Sequence, residues 1–236
     1  MKNNKIYYYF NLLRKRFISK KYYYSYSGVD ALADYIFKDT HNGVYVDVGC
    51  QHPIFNNNTY LLHKKGWSGI NIDLDKSNID LFNYARNKDT NINKAVSYND
   101  DEANLYFYHT KSPINTIVKK TADHQKAEVK EIKKIRTCTL NSIIEKSSFD
   151  KKINFLTIDV EGNELNVLKG FNFKKYCPDL IVTEFLDLSM NKLEFKNNNL
   201  QNIINSEIYN LLLENNYSLV NWIHGDLIFV NNNFKD

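Results

Sequence analysis

The sequence contains few of the residues that define specialised structural classes. Its 236 residues include only 8 glycines, 3 prolines and 3 cysteines. This composition excludes collagen-like and low-complexity chains. The cysteines, Cys50, Cys138 and Cys177, are odd in number and lack metal-ligand spacing. They are therefore typical of free thiols in a reducing cytoplasm, not of a disulfide framework.

Long apolar stretches are also absent. No apolar run approaches the roughly 18 residues expected of a transmembrane helix, and the first residues lack the apolar core of a secretory signal. We therefore expect a cytoplasmic protein. A chain of this length is typical of one domain with a full hydrophobic core.

The net charge of +4 is unevenly distributed along the chain. Residues 1–21 hold seven of the 31 basic residues and no acid, so the remainder has 24 basic residues against 27 acidic ones. Apolar residues in this stretch recur at helical spacings: Ile6, Tyr7, Tyr9, Phe10, Leu13 and Phe17. We expect residues 1–27 to form a basic aromatic arm, here called the basic arm, before a domain at residues 28–236.

A cationic amphipathic stretch at residues 1–24 predicts contact with an anionic membrane surface, which would make the protein peripheral to a membrane. The alternatives are a helix docked on its own domain or on a partner, and a frayed terminus. Nucleic acid is disfavoured as a partner, because the body outside the first 21 residues carries a net charge of −3. Nothing in the sequence indicates an oligomeric state.

Short apolar runs alternate with helical patterns after residue 28. Strands are predicted at 43–50, 69–74, 92–97, 104–108, 153–158, 180–185, 217–222 and 226–230. Helices are predicted at 30–38, 59–65, 76–86 (with Ser77 as cap), 139–147, 163–169 and 203–215, and a surface excursion or cover at 111–136. The alternation predicts an α/β fold, a mostly parallel sheet with helices on both faces. The two-residue turn at His224-Gly225 adds an antiparallel C-terminal edge hairpin.

Polar residues follow the first two predicted strands. Asp47, Gly49 and Cys50 end the first strand, and Asp73 ends the second. Glycine allows close approach of the backbone to a ligand, and an acid on the next strand can accept both hydroxyls of a ribose. The pattern therefore favours an adenosine-containing cofactor. A helix-capping or turn role is the alternative for Asp47.

The loop after the first strand distinguishes between such cofactors. It lacks the G-x-G-x-x-G pattern that brings a helix N-terminus against a pyrophosphate. S-adenosylmethionine has no phosphate and needs polar groups at its amino-acid end, which Asp47, Asn58 and Thr59 can supply. The loop thus favours S-adenosylmethionine over a dinucleotide.

Carboxylates accumulate after the predicted strand at 153–158. Asp159 and Glu161 alternate by two and share a face if the strand continues, whereas Glu164 suits the first turn of a helix. Glu184 ends the next strand, where an acid is costly unless it is paired or lies at a cleft.

Four segments resemble the FkbM-family methyltransferases, which are class I, S-adenosylmethionine-dependent enzymes: YVDVGCQHP (45–53), NNTYLL (57–62), KGWSGINIDLD (65–75) and FLTIDVEGNELNVLKGF (155–171). The resemblance spans about residues 43–186 and is most specific around DVEGNELNVLKG. It implies a Rossmann-like fold and O-methylation, often of sugar hydroxyls in glycans or of natural-product hydroxyls.

The resemblance also implies roles for individual residues by motif position. Asp47 and Gly49 would form the cofactor loop, and Asp73 would hold the ribose. Ala95, Val96 and Ser97 would border the adenine, and Asp159 and Glu161 would lie beside the transferring methyl group. Many relatives have a second glycine where this chain has Pro53 and a longer insert, so contacts of residues 51–59 are not carried over.

A neutral hydroxyl is a poor nucleophile until it loses its proton, so a base near the methyl group is useful. The candidates are Asp159, Glu161, Glu184 and His224, with His52 a further histidine in the cofactor loop. The alternative for both histidines is the commoner one, a solvated residue of a turn or a loop. The carboxylates could instead bind a divalent metal together with substrate hydroxyls, although no set of metal ligands is fixed by the sequence.

The expected acceptor is a glycan or another hydroxyl-bearing substrate, such as a cell-surface polysaccharide or a lipid-linked glycan. Two other classes stay open. A nucleic-acid methyltransferase is disfavoured because DVEG stands where base-methylating enzymes usually carry an aromatic and Pro-Pro motif. A non-catalytic domain that holds cofactor or partner is the other. The lysine-rich segment 111–136 either covers the site and meets an acidic acceptor or is a solvated face.

Overall fold

The structure is a computed structural model that describes residues 4–18, 22–147, 151–186 and 199–234. Its helices are α1 (Asn4–Ile18), α2 (Val29–Ile36), α3 (Tyr60–Lys64), α4 (Lys76–Ala85), α5 (Lys119–His124), α6 (Leu140–Lys146), α7 (Glu164–Lys169), α8 (Phe173–Tyr176), α9 (Leu200–Ile204) and α10 (Glu207–Glu214). Its strands are β1 (Val44–Val48), β2 (Ser68–Asp73), β3 (Thr90–Asn93), β4 (Ala95–Val96), β5 (Glu102–Phe107), β6 (Glu131–Cys138), β7 (Phe155–Ile158), β8 (Leu180–Glu184), β9 (Tyr217–Ile223) and β10 (Asp226–Asn231).

Seven of these strands form one sheet in the order β3-β2-β1-β7-β8-β10-β9. Strands β3, β2, β1, β7 and β8 are parallel, whereas β10 pairs antiparallel with both β8 and β9. The α/β fold class and the antiparallel C-terminal edge hairpin are thereby confirmed. The chain adds strands on one side of β1 and then returns to its other side at β7. This switch point opens a crevice at the carboxyl ends of β1 and β7.

Alternating residues of the buried strands face two separate hydrophobic clusters. Val46 lies in one cluster with Leu140 of α6 and Val167 of α7, whereas the neighbouring Tyr45 lies in the other with Ala33 of α2. Because strand side chains point alternately to the two faces of a sheet, the predicted arrangement of helices on both faces is confirmed. Burial on both faces explains why these strands are continuous apolar runs.

The third predicted strand is not one strand. Residues 90–93 pair with β2 in the main sheet, whereas Ala95 and Val96 pair with β6 in a second sheet of order β4-β6-β5. The backbone N–H of Lys94 donates to the carbonyl of Asp73 at the point where the chain changes sheets. The sequence pattern alone cannot reveal this change of sheet, because β3 and β4 are both extended.

The expectation of a surface excursion at 111–136 was wrong for its last part. Strand β6 pairs antiparallel with β5 over six residue pairs, including Glu102 with Arg136. Strand β6 buries only Thr137, and its apolar residue Ile132 is 59% exposed. A strand that buries so little has no clear apolar alternation, which is why its pattern failed to indicate it.

Two helix boundaries also differ from expectation. The helix predicted at 203–215 is two helices, because Ser206 caps α10 by accepting from the N–H of Tyr209. Asp75, not Ser77, caps α4, and its carboxylate accepts from the N–H of Ser77. Both caps satisfy N–H groups that have no partner within their own helix.

Helix α1 is the helical part of the basic arm. Residues 5–14 are all exposed except Asn11, which is intermediate. Lys2, Lys20 and Lys21 lie outside the described residues. Within the part of the chain that the structure describes, no helix has the length and hydropathy needed to cross a membrane. Further along the arm, Ser27 Oγ donates to Asp226 Oδ2 at 3.0 Å.

A buried arginine fastens the loop after β1 to the rest of the fold. Arg86, at the end of α4, is only 1% exposed. Its Nε donates to the carbonyl of Pro53 at 2.9 Å, its Nη1 to Thr59 Oγ1 at 2.8 Å, and its Nη2 to Asn57 Oδ1 at 2.7 Å. The ring of Phe82 lies 5.0 Å from the guanidinium carbon. Because one buried side chain bonds to three points of residues 53–59, Arg86 holds this part of the loop in place.

We expect Arg86→Met to lower the free energy of unfolding by about 3–5 kcal/mol, because it leaves buried acceptors and a buried carboxylate, Asp47, without their cation. Urea denaturation followed by circular dichroism measures this change. The matched control is Arg136→Met, since Arg136 is exposed and its loss should change stability by no more than about 0.5 kcal/mol. Equal stability losses in the two variants would contradict the role given to Arg86.

Candidate active site

A cavity lies at the carboxyl ends of β1, β2 and β7. Most of the residues singled out from the sequence line it: Asp47, Gly49, Cys50, Asn58, Asp73, Ala95, Val96, Asp159 and Glu161. Thr59, Ser97, Glu184 and His224 are not among its lining residues. The two aspartates at the ends of β1 and β2 therefore face one shared space.

Gly49 is needed where the loop after β1 meets the loop after β7. Its φ is +83°, and a Cβ atom built there would lie 1.7 Å from the carbonyl oxygen of Asp159. Its N–H donates to the carbonyl of Ile72 at 2.8 Å. Any side chain would clash with backbone, so only glycine allows the two loops this contact.

Hydrogen bonds from two side chains of the following loop hold the carboxylate of Asp47 in place. Its Oδ2 accepts from Thr59 Oγ1 at 2.9 Å and from Asn57 Nδ2 at 3.1 Å. Burial raises the pKa of Asp47, against the lowering effect of the Arg86 guanidinium and of these hydrogen bonds. Thr59 is fully buried and contacts Asp47 from behind. Asp47 thus organises the loop and also lines the cavity.

Asp73 receives two backbone hydrogen bonds at the end of β2. Its Oδ2 accepts from the N–H of Gln51 at 2.9 Å, and its Oδ1 accepts from the N–H of Asp75 at 2.7 Å. Burial raises the pKa of Asp73 to about 6, against the lowering effect of these hydrogen bonds. The carboxylate is fixed in position and is largely ionised at neutral pH.

Asn58 and Cys50 complete the wall near β1. Asn58 Nδ2 donates to Thr157 Oγ1 of β7 at 3.0 Å. Cys50 is buried, and its burial raises the pKa of its thiol well above the ordinary value. Cys50 is therefore a neutral, apolar part of the wall, whereas Asn58 ties the loop to the neighbouring strand.

Five carboxylates, here called the carboxylate cluster, meet beyond the ends of β7 and β8: Asp159, Glu161, Glu164, Glu184 and Asp226. Burial raises the pKa of every member. Asp159 is exposed to the cavity that it lines, but protein surrounds it on its other sides. Its neighbours are themselves acidic, and Glu161 contributes the largest of these charges.

Glu161 stands out within the carboxylate cluster. Burial, followed by the charge of Glu164, raises its pKa to about 7. Its φ is +56°, a left-handed conformation that is uncommon for a residue other than glycine. Thr116 Oγ1 donates to its carbonyl at 2.8 Å and helps to hold this conformation. Such local strain is characteristic of functional sites.

The two candidate histidines lie apart from the cavity lining. His224 occupies the β9–β10 turn with a φ of +57°, and its ring packs edge-on against Tyr26 at 5.2 Å. His52 accepts at Nδ1 from the N–H groups of Ile54 and Phe55. Burial lowers the pKa of His52, so it is neutral at pH 7. These contacts suit histidines that order their own loops.

The first part of the segment expected to be a surface excursion or cover lines the cavity, although sequence analysis named none of these lining residues. Ser112, Pro113, Asn115 and Ile117 come from the segment that follows β5 and line the cavity opposite the strand ends. The N–H of Lys111 donates to Asp75 Oδ2 at 2.6 Å and fastens this segment near the β2 end. The segment has no hydrophobic period, so the sequence indicates a cover but not which of its residues face the cavity.

The family model described as "Methyltransferase FkbM domain" matches residues 47–219. Among solved structures, the methyltransferase FkbM from Methylobacillus flagellatus KT is 16% identical, with 61% of this chain and 32% of that chain covered and a TM-score of 0.39. The aligned region thus spans about a third of that protein. None of the curated proteins matches this chain.

Two further structures are similar over more of their length. A TehB-like SAM-dependent methyltransferase from Corynebacterium glutamicum is 11% identical, with 94% of this chain and 96% of that chain covered and a TM-score of 0.43. The 16S rRNA methylase ArmA is 13% identical, with 86% and 80% covered and a TM-score of 0.36. Such low similarity carries no argument about function. The family match alone covers 173 of the 236 residues, and the chain therefore belongs to the FkbM methyltransferase family.

Proposed function

We propose that the chain is an S-adenosylmethionine-dependent O-methyltransferase whose acceptor is a hydroxyl of a sugar or glycan. The observation that carries this proposal is that Asp47, Asp73 and Asp159 line one cavity. These side chains stand at the ends of three adjacent parallel strands. A nucleoside with an amino-acid tail needs polar groups at both of its ends, and this cavity has them.

The lining residues fit the cofactor at three points. The ionised Asp73 can accept from both ribose hydroxyls. Asp47 and Asn58 offer an anion and an amide to the amino-acid end, while Thr59 positions Asp47. Ala95 and Val96 provide a small apolar border for adenine. Ser112 Oγ is buried without a hydrogen-bond partner in the same cavity and can serve the nucleoside.

The protein's chemical task is to orient the acceptor and remove one proton. S-adenosylmethionine, when bound, supplies a methyl group that is already activated by the positive charge on sulfur. We assign Glu161 as the general base, because its pKa of about 7 suits proton removal at neutral pH. Glu161 takes the hydroxyl proton as the acceptor oxygen bonds to the methyl carbon and displaces sulfur, which leaves S-adenosylhomocysteine and a methyl ether.

The neighbouring acids have other roles in this proposal. Asp159 lines the cavity beside Glu161 and attracts the acceptor hydroxyl by a hydrogen bond. Glu184 lies outside the cavity lining, next to Asp159, and burial followed by the charges of the neighbouring acids raises the pKa of its carboxyl. His224 lies outside the cavity lining and takes no part in proton transfer.

A sugar hydroxyl suits this corner better than a nucleobase does. The acids around Asp159 and Glu161 can accept hydrogen bonds from several hydroxyl groups, whereas they repel the phosphates of a nucleic acid. A small natural-product hydroxyl shares the chemistry of a sugar hydroxyl and is the second acceptor class.

We expect Asp73→Asn to weaken the binding of S-adenosylhomocysteine by about 10–100-fold, because an amide replaces the charged acceptor of the ribose hydroxyls. Isothermal titration calorimetry measures the affinity. Asp80→Asn is the matched control, since Asp80 is an exposed acid on α4 that pairs with Lys76. Equal affinities of the Asp73 variant and the control would contradict the assignment of Asp73 to the ribose hydroxyls.

Two further measurements separate ribose recognition from a loosened loop. The wild type should distinguish S-adenosylhomocysteine from its 2′,3′-dideoxy analogue, and Asp73→Asn should bind both equally. The affinity of the wild type should also fall below pH 6. The ionised carboxylate is the binding form, and its pKa is about 6, so binding at pH 5 should be about tenfold weaker than at pH 8.

We expect tritium from the labelled methyl group of S-adenosylmethionine to enter the oligosaccharides or lipid-linked glycans of a panel that also contains RNA. On the acceptor so found, Glu161→Gln should lower kcat by about 10²–10⁴-fold with little change in cofactor affinity. For the wild type, kcat should rise with pH and level off above about pH 7, because the base must be deprotonated and its pKa is about 7.

Glu214→Gln, an exposed substitution at the end of α10, should leave kcat unchanged. Label in RNA would assign the enzyme to the nucleic-acid class. Cofactor binding without transfer to any panel member would favour a non-catalytic domain. Full activity of Glu161→Gln would remove Glu161 as the base.

A further inference from the structure

Three members of the carboxylate cluster converge on one point. Asp159, Glu164 and Glu184 each place a carboxylate oxygen within 4.8 Å of the other two. The parallel pairing of β7 and β8 brings Asp159 and Glu184 together, and the loop after β7 returns Glu164 to the same place. Oxygens on opposite sides of one Ca²⁺ or Mg²⁺ ion are about 4–5 Å apart, so this spacing suits a single ion.

A second observation comes from Glu184 itself. Its Oε2 is buried and has no hydrogen-bond partner. The neighbouring charges that act on this carboxyl are all acidic: Asp159, Glu161, Glu164 and Asp226. A buried carboxylate oxygen without a donor is costly. A bound cation would relieve that cost for all three converging carboxylates at once.

Glu164 is already fixed for such a role. Its Oε1 accepts from the N–H of Val160 at 2.9 Å and from the N–H of Gly162 at 3.0 Å. Hydrogen bonds of this kind orient a ligating carboxylate before an ion arrives. Asp159, by contrast, is exposed to the cavity, which leaves one side of the site open to water or to an acceptor hydroxyl.

We propose that Asp159, Glu164 and Glu184 form a binding site for one hard divalent cation of the Mg²⁺, Mn²⁺ or Ca²⁺ type. The donor set contains only carboxylate oxygens, which these ions prefer over the nitrogen and sulfur ligands typical of zinc. The proposal that the ion binds rests on these three residues alone. Its use to hold an acceptor hydroxyl near the transferring methyl group rests on the proposed function.

The test titrates the full chain with Mn²⁺ and follows the free ion by electron paramagnetic resonance, with Mg²⁺ added as competitor. We expect one saturable site in the wild type and binding at least about tenfold weaker in Glu184→Gln. Glu214→Gln, which removes an exposed acid far along the chain at α10, should bind as the wild type does. Mn²⁺ should also raise the melting temperature of the wild type but not that of Glu184→Gln.

The outcomes that overturn the inference are distinct from failure of the proposed function. Absence of saturable Mn²⁺ binding, or equal binding in Glu184→Gln, would overturn the cation site. Stabilisation by glucosamine in place of Mn²⁺ would assign the carboxylates to an ammonium group and would also overturn it. S-adenosylhomocysteine affinity, measured on the same preparations, reports separately on the cofactor site.

Helix α1 carries a second inference on independent grounds. Ile6, Phe10 and Leu13 recur at spacings of four and three, so they share one face of the helix. Their exposed fractions are 81%, 70% and 37%. Lys5 and Arg14 lie on either side of this apolar face. Among residues 5–14, whose side chains the structure describes, all but Asn11 are exposed and none is buried against the domain.

We infer that α1 lies on the surface of an anionic bilayer, with Ile6, Phe10 and Leu13 inserted among the lipid headgroups. Residues 1–21 carry seven cations and no acid, and this charge is complementary to anionic lipid. The helix is amphipathic and cationic, as is typical of helices that lie in a membrane interface. The acceptor that suits such a position is a glycan attached to lipid, a point that rests on the proposed function.

Sedimentation with vesicles tests this inference on the full chain. We expect binding to phosphatidylcholine vesicles that contain phosphatidylglycerol, little binding to phosphatidylcholine alone, and loss of binding at high salt. Phe10→Ser should weaken binding by about tenfold and Lys5→Glu by about fivefold or more. Tyr84→Ser is the matched control, because Tyr84 is 90% exposed on α4 and its loss should have no effect.

Equal binding to both vesicle types, or unchanged binding by Phe10→Ser, would contradict the membrane inference. Salt-sensitive binding to RNA without binding to vesicles would assign the cations to nucleic acid and overturn it. Self-association that Phe10→Ser abolishes, in the absence of vesicle binding, would assign the apolar face to a second copy of the chain.

Discussion

The guanidinium of Arg86 is the interaction on which the geometry of the cavity depends. It joins the end of α4 to three points of the loop after β1: the Pro53 carbonyl, Asn57 and Thr59. Thr59 and Asn57 in turn donate to Asp47. A chain of hydrogen bonds therefore runs from a buried cation through two neutral side chains to a buried anion. Without the cation, buried polar groups of this loop would lose their hydrogen-bond partner. Burying them would then cost free energy, and the position of the loop would no longer be stabilised.

The loop after β1 and the loop after β7 are held together by direct contacts. Gly49 lies against the backbone carbonyl of Asp159, and Asn58 donates to Thr157 of β7. A change in one loop must therefore move the other. This contact places the proposed cofactor residues at a fixed distance from the proposed catalytic acids, and it explains how a cavity assembled from separate strand ends can keep the geometry that group transfer requires.

The sequence predicts the parts of the site that depend on local pattern. Strands β1 and β7 are short apolar runs followed at once by Asp or Gly, so the position of Asp47 and Asp159 at strand ends follows from the run itself. Arg86 was not predictable, because an arginine at the end of a helix usually faces solvent. Its partners at residues 53–59 lie about thirty positions earlier in the chain. Strand β6 was missed for a related reason, since it buries only Thr137 and has no apolar period, whereas its partner β5 was predicted at 104–108.

Lys111 and Thr116 tie one short segment to two separate parts of the cavity. The N–H of Lys111 donates to Asp75 at the β2 end, and the hydroxyl of Thr116 donates to the carbonyl of Glu161 at the β7 end. If the proposed cofactor enters and leaves past this segment, at least one of these hydrogen bonds has to open first. The rate of cofactor exchange would then depend on how often the segment opens.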